Sequence, residues 1–228
     1  MKINPVALTR AFVLFTLLIS GSCTEDFLTR EPPGMLAGST ASSPQGVEAM
    51  LVGTYSYLRG RNMFGGALCT DWMYGSITSD DCYIGSAYPT YPQFERYEST
   101  PSHPYVLQRW QDCYNGISRA NRTLELLTEN QKSDNRIPEQ RAWQIEAEAK
   151  FLRAWFHFQA NKVFENIPYI KTAAELYPVL PEKVPNSDPS WNSIEEDLQF
   201  AIDNLPPAHA MGEPGRATLY AAEAVKAH

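Results

Sequence analysis

The sequence lacks several features that would assign it to common classes of protein. Its longest apolar run, residues 11–19, is shorter than the roughly 20 residues that a membrane-spanning helix needs. Basic residues are scarce, with 19 Lys and Arg against 26 Asp and Glu, and a net charge of −7 argues against a nucleic-acid partner. No Cys/His spacing is typical of a metal site, and no cofactor is predicted. Alternating apolar and polar residues are almost absent, which argues against β-strands.

The N-terminus has the order of a secretory signal peptide. Lys2 and Arg10 precede the apolar run 11–19, and the small residues 20–22 follow it. We therefore predict that residues 1–22 are a cleaved signal peptide, with an uncleaved N-terminal anchor helix as the alternative. Cleavage would remove both of these basic residues and leave the mature chain more acidic.

Cys23 directly follows the small residues, and this arrangement resembles the cleavage box of bacterial lipoproteins. The resemblance implies lipidation of Cys23, although Ser20 stands where such boxes usually have Leu. Several acyl chains on one residue would give stable membrane anchoring without a transmembrane helix. Residues 23–42 are rich in Pro, Gly, Ser and Thr, and are predicted to be a lipid-anchored tether.

The remaining three cysteines cannot all pair with one another. Cys69 and Cys82 lie in one segment without helical periodicity, and could form a disulfide in an oxidising compartment. Cys113 lies on the face of a predicted helix and is interpreted as a buried free thiol.

Five segments have the spacing of amphipathic helices, and they predict an all-α fold. The segments begin near residues 43, 105, 138, 188 and 217. Residues 147–158 mix small and aromatic side chains, which favours stacked helix pairs of the tetratricopeptide kind. An irregular helical bundle is the alternative from composition alone.

Residues 61–103 lack a long periodic stretch and are rich in aromatic and acidic residues. A long irregular segment within a compact domain is often functional. Rings can stack on the apolar face of a sugar, while carboxylates can bind its hydroxyl groups; most rings, however, are expected to pack the segment onto the helices. The candidate ligand-binding residues are Trp72, Tyr74, Asp80, Asp81, Tyr83 and Tyr88.

Nothing in the sequence predicts catalysis. Glycosidases need two carboxyl groups that face one bond, whereas Glu146 and Glu148 point to different sides of a helix. We interpret Glu148 and Arg153 as partners in ion pairs between helices, and residues 195–197 as a solvated face. Asn121 is expected to bind a neighbouring backbone group. The tryptophans at positions 110, 155 and 191 are predicted to lie in the core.

Several segments resemble, in the same order, the SusD/RagB family of outer-membrane lipoproteins from Bacteroidetes. The most specific resemblance is in residues 146–154, Glu-Ala-Glu-Ala-Lys-Phe-Leu-Arg-Ala. The others lie at 26–28, 48–58, 79–81, 110–121, 164–168, 196–206 and 215–222. Glu165 stands where many members have Gly. The resemblance covers residues 23–228 but only the N-terminal part of the family pattern, so residues 43–228 are expected to form an N-terminal helical domain that is truncated at its C-terminus.

The resemblance implies a SusD-like α-superhelix at the external face of the outer membrane. It implies a glycan-binding lipoprotein that passes oligosaccharides to a partner TonB-dependent, SusC-like barrel. The alternative is a helical-repeat scaffold that binds peptides or a protein partner, as in RagB-like peptide uptake.

Overall fold

Helices dominate the computed structural model, which describes residues 38–59, 71–85, 92–172 and 190–228. No strand occurs in these ranges, so the all-α prediction is confirmed. The helices of eight or more residues are α1 (Pro44–Tyr55), α2 (Pro104–Asn130), α3 (Glu139–Phe164), α4 (Ser190–Asn204) and α5 (Leu219–Lys226). None of the described helices is long and apolar enough to cross a membrane.

Capping residues define where the helices begin. The Ser43 side chain accepts a hydrogen bond from the Gly46 N–H at 3.1 Å, and Pro44 occupies the first turn of α1, as predicted. Thr218 caps α5 in the same way, by accepting from the Ala221 N–H at 3.3 Å. Both helices therefore begin where the sequence places their start signals.

Consecutive helices pack against each other in pairs. The long helices α2 and α3 are joined by a turn of eight residues, 131–138, and run antiparallel; α3 then packs on α4, and α4 on α5. Helix α1 lies against both α2 and α3. Each helix contributes apolar side chains to one main core, in which Leu51, Ile117, Leu152, Leu198 and Ala222 are buried. This arrangement is the tetratricopeptide-like pairing that the sequence predicts.

Small residues bring α2 and α3 close together. A Cβ atom built on Gly116 of α2 would lie 2.5 Å from the ring of Phe156 in α3, closer than real Cβ contacts allow. Phe156, an aromatic residue of the segment 147–158, therefore fills a space between the helices as predicted, but the small residue that makes room for it is Gly116 of α2, outside that segment.

A buried ion-pair network joins α1, α3 and the segment before α5. Glu148 is fully buried, and its carboxylate accepts hydrogen bonds from Arg141 at 2.9 Å, Arg216 at 3.1 Å and the Tyr55 hydroxyl at 2.8 Å. Arg141 also donates to both carboxylate oxygens of Glu48, at 2.6 and 2.8 Å. The prediction that Glu148 forms ion pairs between helices is wrong in its partners: Arg141 lies on the same helix and Arg216 lies in the segment before α5, while the contact with another helix is the hydrogen bond from Tyr55.

A second buried network joins α2, α3 and α4. Arg153 donates to both carboxylate oxygens of Asp197, at 2.6 and 2.8 Å, and to the Asn121 side-chain oxygen at 3.0 Å. Asn121 in turn donates to the Ile170 carbonyl at 3.0 Å. The structural roles predicted for Arg153 and Asn121 are confirmed. The prediction that Asp197 belongs to a solvated face is wrong, because this carboxylate is buried against Arg153.

The tryptophans differ in burial. Trp110 and Trp155 are half-buried against apolar clusters, in agreement with their predicted packing role. The prediction for Trp191 is wrong: its side chain is 44% exposed, and its ring meets Phe158 edge-on, with ring centroids 6.0 Å apart. The Cys113 prediction is confirmed, since the thiol is free and buried, and burial raises its pKa to about 11.

Candidate functional site

The segment that follows α1 has a small apolar core of its own. Met73, Ile77 and Phe94 are buried together, and half-buried residues surround them, including Cys82 and Tyr105. This cluster holds residues 71–85 and the turn Pro92–Glu95 against the start of α2. An ordered segment therefore forms without any long periodic pattern in the sequence.

Asp71 ties this segment to the helical domain. Its carboxylate accepts from Lys162 of α3 at 3.0 Å and lies 3.5 Å from Arg109 of α2. Burial alone would raise the pKa of Asp71, but the hydrogen bond and charge of Lys162, together with Arg109, hold that pKa below its ordinary value. The carboxylate stays ionised at neutral pH and fixes the start of the segment between two helices.

Tyr74 packs inside this segment. Its hydroxyl donates to the Tyr105 carbonyl at 2.8 Å, and its ring meets Phe94 edge-to-face at 5.3 Å. The guanidinium of Arg109 lies 5.3 Å from the ring centroid. These contacts give Tyr74 a packing role, as the sequence reasoning expected for most of the rings.

Trp72 and Tyr83 behave differently, because their rings face solvent. Trp72 is 43% exposed at the start of a single π-helical turn, Trp72–Ser76, and Tyr83 is 82% exposed. Tyr97 is also exposed; its backbone has a φ of 56°, and its hydroxyl donates to the Thr78 carbonyl. Solvent-facing rings with fixed backbones are the kind of surface on which a sugar ring can stack.

Asp80 and Asp81 provide polar groups on the same segment. Both residues are exposed, and neither carboxylate has a partner among the described residues. The Ser79 hydroxyl oxygen accepts from the Asp81 N–H at 3.2 Å and shapes the turn that holds the pair. An ionised carboxylate only accepts hydrogen bonds, so these groups suit the hydroxyl groups of a polar ligand.

Three predicted residues, Cys23, Tyr88 and Cys69, lie outside the described residues. Cys82 is a half-buried free thiol in the structure. Its pairing with Cys69 stays a prediction, as does lipidation at Cys23.

Among the exposed rings that the sequence-based candidates do not include, one borders a groove. Trp143 of α3 is 51% exposed and lines a groove between α2 and α3. It follows the buried Ala142 in sequence but lies off the apolar stripe of α3. This position in the helical pattern could have predicted that its side chain is exposed.

Comparison with known proteins gives consistent results. The sequence profile of a SusD-like family described as "Starch-binding associating with outer membrane" matches residues 26–227. A SusD-like protein from Bacteroides ovatus is 27% identical over 216 residues, which are 93% of this chain and 37% of that protein. The chain spans about two fifths of the length of the curated relatives that it matches.

Solved structures share the fold. A SusD-like protein from Bacteroides fragilis NCTC 9343 matches with a TM-score of 0.63 and 26% identity, over 84% of this chain and 35% of that one. A laminarin-binding SusD-like protein matches with a TM-score of 0.61 and 25% identity, over 80% of this chain and 39% of that one. Because the profile covers nearly all of the sequence after residue 25, the chain belongs to the SusD-like family.

Proposed function

We propose that this chain is a glycan-binding component of the cell surface that captures oligosaccharides without chemically changing them. The observation that carries the proposal is that residues 71–85 hold exposed rings together with carboxylates that have no partner among the described residues. Trp72 and Tyr83 supply the rings, and Asp80 and Asp81 supply the acceptors. The family description and the laminarin-binding relative support the choice of a glycan over other polar ligands.

The chemistry of a sugar fits these groups. One face of a pyranose ring carries C–H groups that pack on an aromatic ring, and the ring edge carries hydroxyl groups that donate to carboxylates. The Met73–Ile77–Phe94 cluster beneath the segment limits its movement, so less conformational entropy is lost when a ligand binds. The segment acts as a recognition surface, and the helices act as its support.

The matched pair Trp72→Ala and Trp191→Ala tests this function. The two side chains are 43% and 44% exposed, but Trp191 lies on α4, away from the candidate segment in sequence. In a titration with laminarin and a panel of other glycans, Trp72→Ala should weaken binding about tenfold, and Trp191→Ala should leave it unchanged. Equal affinities for the two variants would contradict the proposed surface. No response to any glycan, with tight binding of a peptide pool, would favour the peptide-binding alternative.

We further propose that Cys23 is lipidated and holds the chain at the outer membrane, where it delivers glycan to a TonB-dependent, SusC-like barrel. The signal-like N-terminus and the outer-membrane association of the family support this proposal. Cys23→Ala should abolish incorporation of a labelled fatty acid, and normal labelling of that variant would refute the anchor. Co-purification of the wild-type chain with a TonB-dependent receptor is the expected result for the partner, and its consistent absence from membrane extracts would contradict it.

A further inference from the structure

A second surface with an exposed ring lies between α2 and α3. The C-terminal half of α2 and the N-terminal half of α3 border a groove of about 1010 Å³. Leu124, Leu127 and Ala142 give it an apolar lining, and the turn that joins the two helices closes one end. Ligand sites for small molecules have volumes of about 300–1,000 Å³, so a short oligomer fits in this space.

The aromatic group of the groove is Trp143, which is 51% exposed. Glu139, Trp143 and Glu146 recur at intervals of four and three residues, and therefore share one face of α3. No ring contact of Trp143 occurs among the described residues, in contrast to Trp110, which stacks on Tyr114 at 4.3 Å. The indole ring is therefore available for stacking.

The charges of the groove divide into paired and unpaired groups. Lys150 pairs with Glu146 at 2.8 Å, and Arg153 pairs with Asp197 at 2.6 Å. Lys132 and Arg136 also line the groove, and neither has an ion-pair partner among the described residues.

Of the carboxylates that line the groove, only Glu139 has no ion-pair partner in the described ranges, so one negative charge stands beside the two positive charges of Lys132 and Arg136. The groove therefore has a positive excess on a chain whose net charge is −7. A ligand that carries negative charge can pair with both exposed cations, and one with an apolar face can stack on the ring.

We infer that this groove is a second binding site, and that its ligand is an anionic saccharide, with a sugar ring on Trp143 and its carboxylate or sulfate at Lys132 and Arg136. The choice of a saccharide rests on the proposed function, whereas the preference for an anion rests on the groove alone. Arg136 presents a planar fork of donors that matches a carboxylate or a sulfate, and Lys132 adds a second charge.

The test uses the purified chain with ¹⁵N-labelled tryptophan, so that each indole N–H reports on its own site. Trp143→Phe and Trp72→Phe assign the two resonances. The probes are an oligogalacturonate, a sulfated oligosaccharide, a neutral laminari-oligosaccharide of equal length and an acidic peptide. We expect one of the two anionic probes to shift the Trp143 resonance, and the carboxylate and sulfate arms identify which anion the site takes.

Variants test the contribution of each group. Lys132→Gln and Arg136→Gln should each weaken binding of the anionic probe about two- to fivefold, and Trp143→Ala about fivefold or more. Lys226→Gln, on α5, is the control and should leave binding unchanged. Higher salt should weaken binding at the groove, because exposed charges are screened.

Three outcomes would overturn the inference: no shift of Trp143 with either anionic probe, an equal shift with the neutral one, or a stronger shift with an acidic peptide. The proposed function is tested separately at Trp72. If a neutral glucan shifts the Trp72 resonance and no anionic probe shifts the Trp143 resonance, the result supports the proposed site on residues 71–85 and contradicts the site in the groove. The reverse result removes the first site and keeps an anion site in the groove.

Discussion

The helical domain and the segment 71–85 use the same kinds of residue in opposite ways. In the helices, two charged residues of the most recognisable sequence pattern are buried: Glu148 accepts hydrogen bonds from two arginines, and Arg153 forms an ion pair with Asp197. In the segment, Asp80 and Asp81 are exposed and have no partners among the described residues. Rings divide in the same manner, with Phe156 packed against Gly116 and Tyr83 facing solvent.

Buried charged residues therefore identify the family, whereas exposed residues would select a ligand. Within residues 146–154, Arg153 pairs with Asp197 of α4 and Glu148 pairs with Arg216 of the segment before α5, so the pattern reports on the fold and carries no information about a ligand. Ligand choice is left to exposed groups on a segment without periodicity. The chain can therefore be assigned to a family by its buried charges, while its specificity has to be measured at its surface.

The largest expected effect is on the buried side of this comparison. Glu148→Ala would leave Arg141 and Arg216 with the partly exposed Glu48 and Glu213 but without the fully buried carboxylate that both contact, and removing one partner of a buried pair costs up to about 3–5 kcal/mol of unfolding free energy. Glu146→Ala, two residues away on the exposed side of α3, should cost less than about 0.5 kcal/mol, because only its surface pair with Lys150 is lost. Urea unfolding of both variants measures the contrast, and similar losses would show that the buried network does not stabilise the fold.

Acidification should weaken the same scaffold through His157. Burial lowers the pKa of His157 to about 3; its Nε2 accepts from the Ile170 N–H at 3.0 Å, and its Nδ1 donates to the Arg153 carbonyl at 2.9 Å. The unfolded chain takes up a proton near pH 6.5 and the folded chain does not, so stability is full above pH 6.5 and falls as pH decreases. Between pH 6.5 and 4.5 the loss should be about 2 kcal/mol, because the slope approaches about 1.4 kcal/mol per pH unit only below the unfolded-state pKa.

His157→Gln provides the control for this pH dependence. The variant should be less sensitive to pH in that window, whatever its stability at neutral pH. The carboxylates of Glu48 and Asp71 have pKa values below their ordinary ones of 4.5 and 3.8, so their contributions are lost only at more acidic pH. An unchanged slope in His157→Gln would assign the acid sensitivity to other groups.

A smaller effect is expected from the close approach of α2 and α3. Gly116→Ala would push a methyl group into the Phe156 ring, and such overpacking costs about 1–3 kcal/mol. Gly53→Ala is the matched control, because it also lies in a helix but its new Cβ would only reach Arg119 Nη1 at 3.4 Å. That change should stabilise by about 0.5–1 kcal/mol, since Ala is the better helix former. Thermal unfolding measures both changes, and melting temperatures that shift in the same direction for the two variants would contradict the packing argument.

The smallest effect concerns the end of α3. Glu165 has a φ of 57° and a ψ of −101°, a conformation that residues with a Cβ rarely adopt. Gly adopts such a conformation without a Cβ clash, so Glu165→Gly should relieve the strain and stabilise the chain by about 1 kcal/mol. Asn166→Gly, one position further on, should give no comparable gain. Differential scanning calorimetry decides, and a loss of stability in Glu165→Gly would refute the strain.

Much of the scaffold could be predicted because its signals are local. Ser43 and Thr218 cap helices through hydrogen bonds that span three residues, and the spacing of apolar residues locates the helices. Asp197 was misassigned because its partner, Arg153, comes from another helix, and a run of acidic residues alone looks solvated. Trp191 was misassigned because periodicity gives the direction of a side chain but not how far a neighbouring helix extends over it.

The candidate surface was less predictable for the same reason. Composition identifies residues 61–103 as rich in rings, but without periodicity nothing in the sequence separates the packed Tyr74 from the exposed Tyr83. That separation depends on the cluster of Met73, Ile77 and Phe94, which brings together residues distant in sequence. Trp143 could have been found, because it lies off an otherwise clear apolar stripe.

Tyr83→Ala tests the division between support and recognition most directly, if unfolding free energy and glycan affinity are measured on the same sample. The side chain is 82% exposed, so the change should alter stability by less than about 0.5 kcal/mol. We predict a clear loss of affinity for the best glycan of the panel, with unfolding free energy unchanged. Unchanged affinity, or a loss of affinity that only follows a loss of stability, would contradict the account.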